Sequence, residues 1–171
     1  MKSDDDDTPT PDIWLLRTSD YELDREAAAP WLERIGRVAV EFHAIEAASY
    51  DWLYRLDRLA YESSMPGASA VPFQDRVAVI TSAIQCRTWC DAGFIDESTQ
   101  SWCVARHLGD LRDILTQRPA VFLEDGTAHF GSFPAFRLGD VTVIDCERLD
   151  QVICEIREEA QLLRSLLDRM H

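Results

Sequence analysis

The sequence predicts a mainly α protein, a bundle of four to five helices with a small β-hairpin or β-meander before the last long helix. Long stretches place apolar residues at steps of three and four, the spacing of one helix face. This period ends at Pro119, and β-prone residues then flank an Asp125-Gly126 pair, which is typical of a hairpin. A second long stripe with helical spacing resumes after the hairpin and runs to the C-terminus.

The first predicted helix spans residues 30–62, with Pro30 in its first turn and Pro66-Gly67 in the turn that follows. Its core-facing positions step by three and four along four heptads: Ile35, Val38, Phe42, Ile45, Ser49, Trp52, Leu56 and Leu59. Such a long amphipathic stripe predicts a helix that packs along its whole length.

Two shorter helices are predicted at residues 72–91 and 97–117. Gly93 is expected to end the first of them, and Asp96 or Ser98 to cap the second. The apolar face of the second is predicted to consist of Val104, Leu108, Leu111 and Leu115. Pro119 is expected to end it, since the residue before a proline disfavours helical backbone.

The β insert is predicted at residues 120–145, with a second turn at Gly139-Asp140, and the last helix at 146–169. The apolar face of that helix is Leu149, Val152, Ile156, Ala160, Leu163, Leu167 and Met170. Residues 1–12 contain four consecutive aspartates and predict a disordered acidic tail. Residues 13–171 are interpreted as a single helical domain, on which Ile13 to Leu16 would pack as a short arm.

Composition narrows the classes of function. The 171 residues are 46% hydrophobic and carry a formal net charge of −14, which repels nucleic-acid phosphates and suits a basic partner. No apolar run is long enough to cross a bilayer and no signal peptide is present, so we expect a cytoplasmic protein with no membrane partner. Five cysteines, an odd number, favour reduced thiols over a disulfide framework.

The helical pattern resembles that of the HEPN superfamily of helical bundles. The matching stretches are FHAIEAASYDWL with its mid-helix acid Glu46, PFQDRVAVITSAI, LRDILTQR and ERLDQVICEIREEAQLL, and the resemblance covers about residues 30–168. It implies a ribonuclease, an RNA-associated module or a partner in a toxin–antitoxin or phage-defence system, and it implies a homodimer.

The resemblance also implies a catalytic motif of Arg, a polar residue and His after four to six intervening residues. Arg118 matches the arginine, but Pro119 follows it, and Leu123 or Glu124 stands where the histidine is expected. His129 would pair with Arg118 only if the hairpin brought it back. An Arg fork stabilises phosphoryl charge and a His transfers a proton, so Arg118 and His129 are the candidate catalytic pair. The alternative is that the positive charge of Arg118 interacts favourably with the dipole at a helix C-terminus, and that His129 is a half-exposed strand residue.

A second candidate site is a zinc site. Cys86 and Cys90 are four residues apart at the end of the second helix, and Cys103 and His107 are four apart early in the third. If these helices form an antiparallel hairpin, the four side chains could provide a tetrahedral set of ligands. Buried, metal-free cysteines are the alternative interpretation.

A third candidate is a carboxylate di-metal site, of the kind that helical bundles host. Such sites use a Glu-x-x-His pair, whereas the first helix has the reverse order, with His43 three residues before Glu46. In the last helix, Glu155, Glu158 and Glu159 have no nearby histidine. The alternative is that Glu46 pairs with an arginine and that the later acids form a solvated face.

Three functions stay open from the sequence. The first is a non-catalytic HEPN-like protein that acts by association, as a homodimer or as the acidic partner or regulatory factor of a basic protein or ribonucleoprotein. The second is an active, metal-independent HEPN endoribonuclease that uses Arg118 with His129, with RNA as its partner. The third is a helical interaction module stabilised by zinc and otherwise free of cofactors. Whether the chain is an enzyme is not decided at this point.

Trp52, Trp89 and Trp102 are assigned either to an interface or to the core.

Overall fold

The structure is a computed structural model that describes residues 25–60, 71–86, 91–123, 126–131 and 141–170. Within these residues the elements, in chain order, are α1 (Arg25–Ala60), α2 (Phe73–Gln85), α3 (Ala92–Gln117), β1 (Ala120–Phe122), β2 (Thr127–Phe130), β3 (Thr142–Asp145) and α4 (Cys146–Arg169). The predicted helical bundle with a small sheet before the last long helix is therefore confirmed.

The helix α1 packs against α4 in a parallel direction. Arg34 pairs with Asp150 near the start of both helices, and the Trp52 indole donates a hydrogen bond to the Leu163 carbonyl further along both. The helix α3 runs antiparallel to this pair, since Trp102 packs on Trp52 whereas the later residue Arg112 pairs with the earlier residue Glu46. A shared core lies between the three helices, and Trp52 and Trp102 belong to it. The core alternative for these two tryptophans is the correct one, while Trp89 lies outside the described residues.

The inner stripe of α1 follows the predicted pattern. Six of its eight positions are buried: Val38, Phe42, Ile45, Ser49, Trp52 and Leu56. Ile35 is half-buried, and the side chain of Leu59 lies outside the described set. The helix begins at Arg25, five residues before the prediction, because Ala28 and Trp31 also reach the core.

The boundary between the second and third helices was predicted wrongly. The helix α2 ends at Gln85, with Cys86 as its C-cap, and α3 begins at Ala92. Asp91 caps α3, since its Oδ1 accepts a hydrogen bond of 2.8 Å from the Phe94 N–H. Gly93 thus lies in the first turn of α3 rather than after α2. Burial of Phe94 brings this turn into the helix, which leaves Asp96 and Ser98 inside it.

The predicted apolar face of α3 was also partly wrong. Leu108 and Leu115 are buried, but Val104 is exposed and Leu111 is half-buried. The buried face includes small and polar residues: Phe94, Ser98, Ser101, Trp102, Ala105, Leu108, Gly109 and Leu115. Gly109 lets α2 approach closely, because a Cβ there would lie 2.9 Å from Cε1 of Phe73.

The three strands form an antiparallel sheet in the order β1-β2-β3. Pro119 ends α3 as predicted, and Gly126, with φ of 82°, supplies the left-handed residue before β2. The helix α4 has the predicted bounds, and Asp145 caps it by accepting a 2.7 Å hydrogen bond from the Arg148 N–H. Its predicted apolar face is buried except for half-buried Leu167.

Several predictions fall outside the described residues. They are the acidic tail at 1–12, the arm at Ile13 to Leu16, and the turns at Pro66-Gly67 and Gly139-Asp140. In the described part of the chain, no helix combines the length and the apolar character that a bilayer span requires.

Candidate functional site

Arg118 is the C-cap of α3. Its backbone is extended, with φ of −96° and ψ of 145°, and its N–H donates to the Ile114 carbonyl at 3.2 Å. The side chain is exposed. This is the position that the helix-end interpretation predicts for it.

His129 lies in the middle of β2, opposite Val121 of β1 and Val143 of β3. Its neighbours Ala128 and Phe130 are buried, so the alternation of strand side chains places His129 on the outer face of the sheet. Arg118 precedes Val121 by three residues, which corresponds to about 10 Å of strand. The register therefore pairs His129 with Val121 and not with Arg118, and no hydrogen bond within the described residues joins the two candidate catalytic residues.

The candidate zinc ligands are only partly placed. Cys86 is exposed at the C-cap of α2, and Cys103 and His107 are exposed on α3. Cys90 lies outside the described residues. Among the residues that are described, no three His, Cys, Asp or Glu side chains form a group that could hold a metal ion. The four-ligand zinc site stays a prediction.

Glu46 pairs with an arginine, and that alternative is confirmed. Its Oε1 lies 3.1 Å from Nη1 of Arg112, whose guanidinium also sits 4.6 Å from the centre of the Phe42 ring. His43 is exposed, and its Nδ1 lies 2.9 Å from the Ala39 carbonyl. The two candidate ligands of a di-metal site thus have separate partners.

The acids of α4 are not a uniform solvated face. Glu158 is exposed, as that interpretation requires, whereas Glu155 is half-buried and accepts a hydrogen bond from Arg148. Glu159 is buried, which contradicts it, because α3 places Ser101 where its hydroxyl donates to Glu159 Oε1.

Glu159 is a buried carboxyl between α4 and α3, where Ser101 is its hydrogen-bond partner. Burial raises the pKa of its carboxyl, and the hydrogen bond from Ser101 opposes that rise. On α3, the Ser98 hydroxyl and the Trp102 indole N–H are also buried, and among the described residues they have no hydrogen-bond partner. Burial therefore disfavours the charged form of Glu159 relative to an exposed glutamate.

We expect Glu159→Gln to raise the free energy of unfolding by about 1 kcal/mol at pH 8, since the variant buries no charge. A carboxyl whose pKa is raised in the fold contributes its full stability below its unfolded value, about 4.3. That contribution is lost as the pH rises through the raised pKa. Urea unfolding between pH 4 and 8 should show the two proteins converging at low pH and diverging at high pH.

Glu158→Gln is the matched control, because Glu158 is the neighbouring residue and is exposed. Its unfolding free energy should stay within about 0.5 kcal/mol of the native protein at every pH. An equal pH response in both variants would contradict the assignment to Glu159.

A buried cation lies where α2 meets α1. Arg76 donates from Nε to the Ser49 hydroxyl at 3.0 Å and from Nη1 to the Tyr50 hydroxyl at 2.9 Å and the Val71 carbonyl at 2.7 Å. Its guanidinium lies 4.3 Å from the centre of the Tyr50 ring. This arrangement fixes the orientation of Tyr50 on the surface of α1.

Tyr50 belongs to a second stripe of α1, on the side opposite the core. We call it the outer face of α1, and it consists of Ala29, Leu32, Gly36, Val40, His43, Ala47, Tyr50 and Tyr54. All eight residues are exposed, and none is an Asp, Glu, Lys or Arg. Val40 is 68% exposed, Tyr54 65% and Leu32 57%. From Leu32 to Tyr54 the face is about 33 Å long.

Four exposed charged residues lie along one edge of this face: Glu33, Arg37, Asp51 and Arg55. Half-buried Glu46, which pairs with Arg112, lies beside the other edge. Large exposed apolar patches rimmed by polar residues mark interaction sites. Sequence reasoning missed this face because the inner stripe of the same helix accounted for its amphipathic pattern.

Comparison of the chain with protein-family models, with curated proteins and with solved structures finds no match.

Proposed function

We propose that the protein acts by association with another protein chain, through the outer face of α1, and not by catalysis. One observation carries this proposal. In a chain with 28% charged residues and a net charge of −14, eight exposed positions along one helix are uncharged. Solvation does not require such a surface, whereas a protein interface buries one.

The sequence resemblance to the HEPN superfamily forms the second part of the proposal. It implies a relative whose Arg/His motif is degenerate and which serves as a partner or regulatory factor in an RNA-related, toxin–antitoxin or phage-defence system. The strand register, which pairs His129 with Val121 and not with Arg118, supports the non-catalytic version. The acidic charge favours a basic protein or a ribonucleoprotein as a further partner.

A capture experiment with matched variants tests the association. Tagged native chain, Val40→Lys and Val143→Lys serve as baits in extract of the native cell. Val143 is also exposed, at 53%, but lies on the outer face of the sheet. We expect the native chain and Val143→Lys to retain a protein partner, either a copy of the chain or another protein. Val40→Lys should lose it, because a lysine on the interface would be desolvated.

Catalysis is tested on the purified chain with RNA. We expect no cleavage by the native protein. Cleavage that disappears when both Arg118 and His129 are replaced by alanine would contradict the proposal and favour the nuclease.

A further inference from the structure

We propose that the occupant of the outer face of α1 is α1 of a second copy of the chain, packed antiparallel about a two-fold axis next to His43. This inference rests on the proposed function and names its partner. In an interface with two-fold symmetry, each contact occurs twice: if residue i of the first copy contacts residue j of the second, residue j of the first copy contacts residue i of the second. Antiparallel helices therefore require pairs of positions that share one midpoint along the helix.

The sizes of the side chains fit such a midpoint. Leu32 would meet Tyr54 of the other copy, and Gly36 would meet Tyr50, since both pairs are centred on His43. A Cβ at Gly36 would have no heavy atom within 4 Å, so nothing in the described chain requires a glycine there. Glycine inside a helix is destabilising relative to alanine. Close approach of a tyrosine ring from outside is a physical reason for keeping it.

The charges along the edge pair about a midpoint one residue further along the helix, about 1.5 Å from the first. Arg37 would face Asp51 of the other copy, and Glu33 would face Arg55, because both pairs are centred on Ala44. In an antiparallel pair the same edge of each helix faces its own counterpart, so opposite charges meet four times per dimer. Charges beside a helix–helix seam set the choice and the orientation of the partner.

The Arg37 and Asp51 side chains are available for this role. Neither is in an ion pair within the described residues, whereas Arg55 already donates to the Met170 carbonyl at 2.9 Å. All three are exposed, so substitution of Arg37 or Asp51 should leave the fold of the subunit unchanged.

The test uses Arg37→Asp and Asp51→Arg in the full chain, with dimer dissociation constants measured by sedimentation equilibrium. In each variant alone, both Arg37–Asp51 pairs become like-charged, and we expect the dimer to dissociate about tenfold more readily. When the two variants are mixed, both pairs are restored in the mixed dimer. Tagging one variant should therefore show mixed dimers in excess over either homodimer. Val143→Lys should dimerise like the native chain, and circular dichroism checks that every variant folds.

Four results would overturn the proposal. A native dimer whose variants show no preference for mixing would mean that this antiparallel register is wrong. A monomer that dimerises only after residues 1–20 are removed would mean that the Ile13 to Leu16 segment covers the face. A native chain that is monomeric, and that captures another protein which the Val40→Lys variant does not capture, would rule out a second copy as the occupant. The proposed function would then remain intact. If no protein is captured at all by a monomeric chain, the proposed function fails with it.

Discussion

Replacement of Trp52 by alanine should lower the free energy of unfolding by about 3–5 kcal/mol. The indole is fully buried, lies 5.8 Å from the centre of the Trp102 ring at 88° and stacks on Phe94 at 6.3 Å. Its Nε1 donates a 3.0 Å hydrogen bond to the Leu163 carbonyl, which ties α1 to α4. Alanine removes the ring contacts and the hydrogen bond together and leaves a cavity between three helices. Urea unfolding followed by far-UV circular dichroism measures the loss.

Trp52→Phe separates packing from hydrogen bonding. The phenyl ring keeps most of the apolar contact but cannot donate, so we expect a smaller loss of about 1–2 kcal/mol. Leu162→Ala, at a partly exposed residue of α4, should cost less than about 1 kcal/mol and serves as the control. A loss below 1 kcal/mol for Trp52→Ala would show that this junction does not hold the bundle together.

The parts of the fold that periodicity specifies were predictable from the sequence. The inner stripe of α1 and the apolar face of α4 are continuous, and each repeats the helical spacing over many turns. The start of α4 agrees with its predicted bound, and Asp145 caps its first turn. The hairpin followed from Asp125-Gly126, because few other residues adopt the positive φ found at Gly126.

The start of α3 was predicted wrongly, with Asp96 or Ser98 as its cap, because Asp91 has the same capping chemistry. Asp91, Asp96 and Ser98 are all good N-caps, and local preference does not choose between them. Burial of Phe94 decides in favour of Asp91, and burial depends on the position of α1 and α4. The polar face of α3 was missed for a related reason, since a hydrophobic pattern does not count a serine as a core residue.

The candidate site was not predicted for the same reason, because it depends on which residues the other helices bury. An isolated exposed valine or tyrosine is normal, so Val40 and Tyr54 carry no signal until the buried face of α1 is known. Once Trp52 and Phe42 are placed inside, the uncharged residues on the opposite side form one continuous surface. Burial of Glu159 likewise depends on Ser101 of another helix, which no spacing within α4 could reveal.

Replacement of Arg76 by methionine should lower the free energy of unfolding by about 2–3 kcal/mol. Three hydrogen bonds from a charged donor are lost, and relief of the buried charge offsets part of that loss. The Val71 carbonyl and the Ser49 hydroxyl lose their donor at the junction of α1 and α2. Arg76→Lys should be nearly as destabilising, because one ammonium cannot span acceptors that the guanidinium fork reaches together. Urea unfolding at pH 7 compares the three proteins.

Replacement of Arg76 by methionine should also affect the outer face of α1. Arg76 donates a hydrogen bond to the Tyr50 hydroxyl and lies over the face of the Tyr50 ring, so it holds this side chain in place. Tyr50→Phe removes only one hydrogen bond, so we expect a stability loss of about 1 kcal/mol. If Tyr50 inserts beside Gly36 of a second copy, both Arg76→Met and Tyr50→Phe should weaken the dimer, because the ring is no longer held in place. The contrast with Trp52→Phe, which perturbs only the core, separates this effect from general destabilisation. Equal dimer dissociation constants for Tyr50→Phe and the native chain would mean that Arg76 stabilises the bundle without organising the outer face of α1.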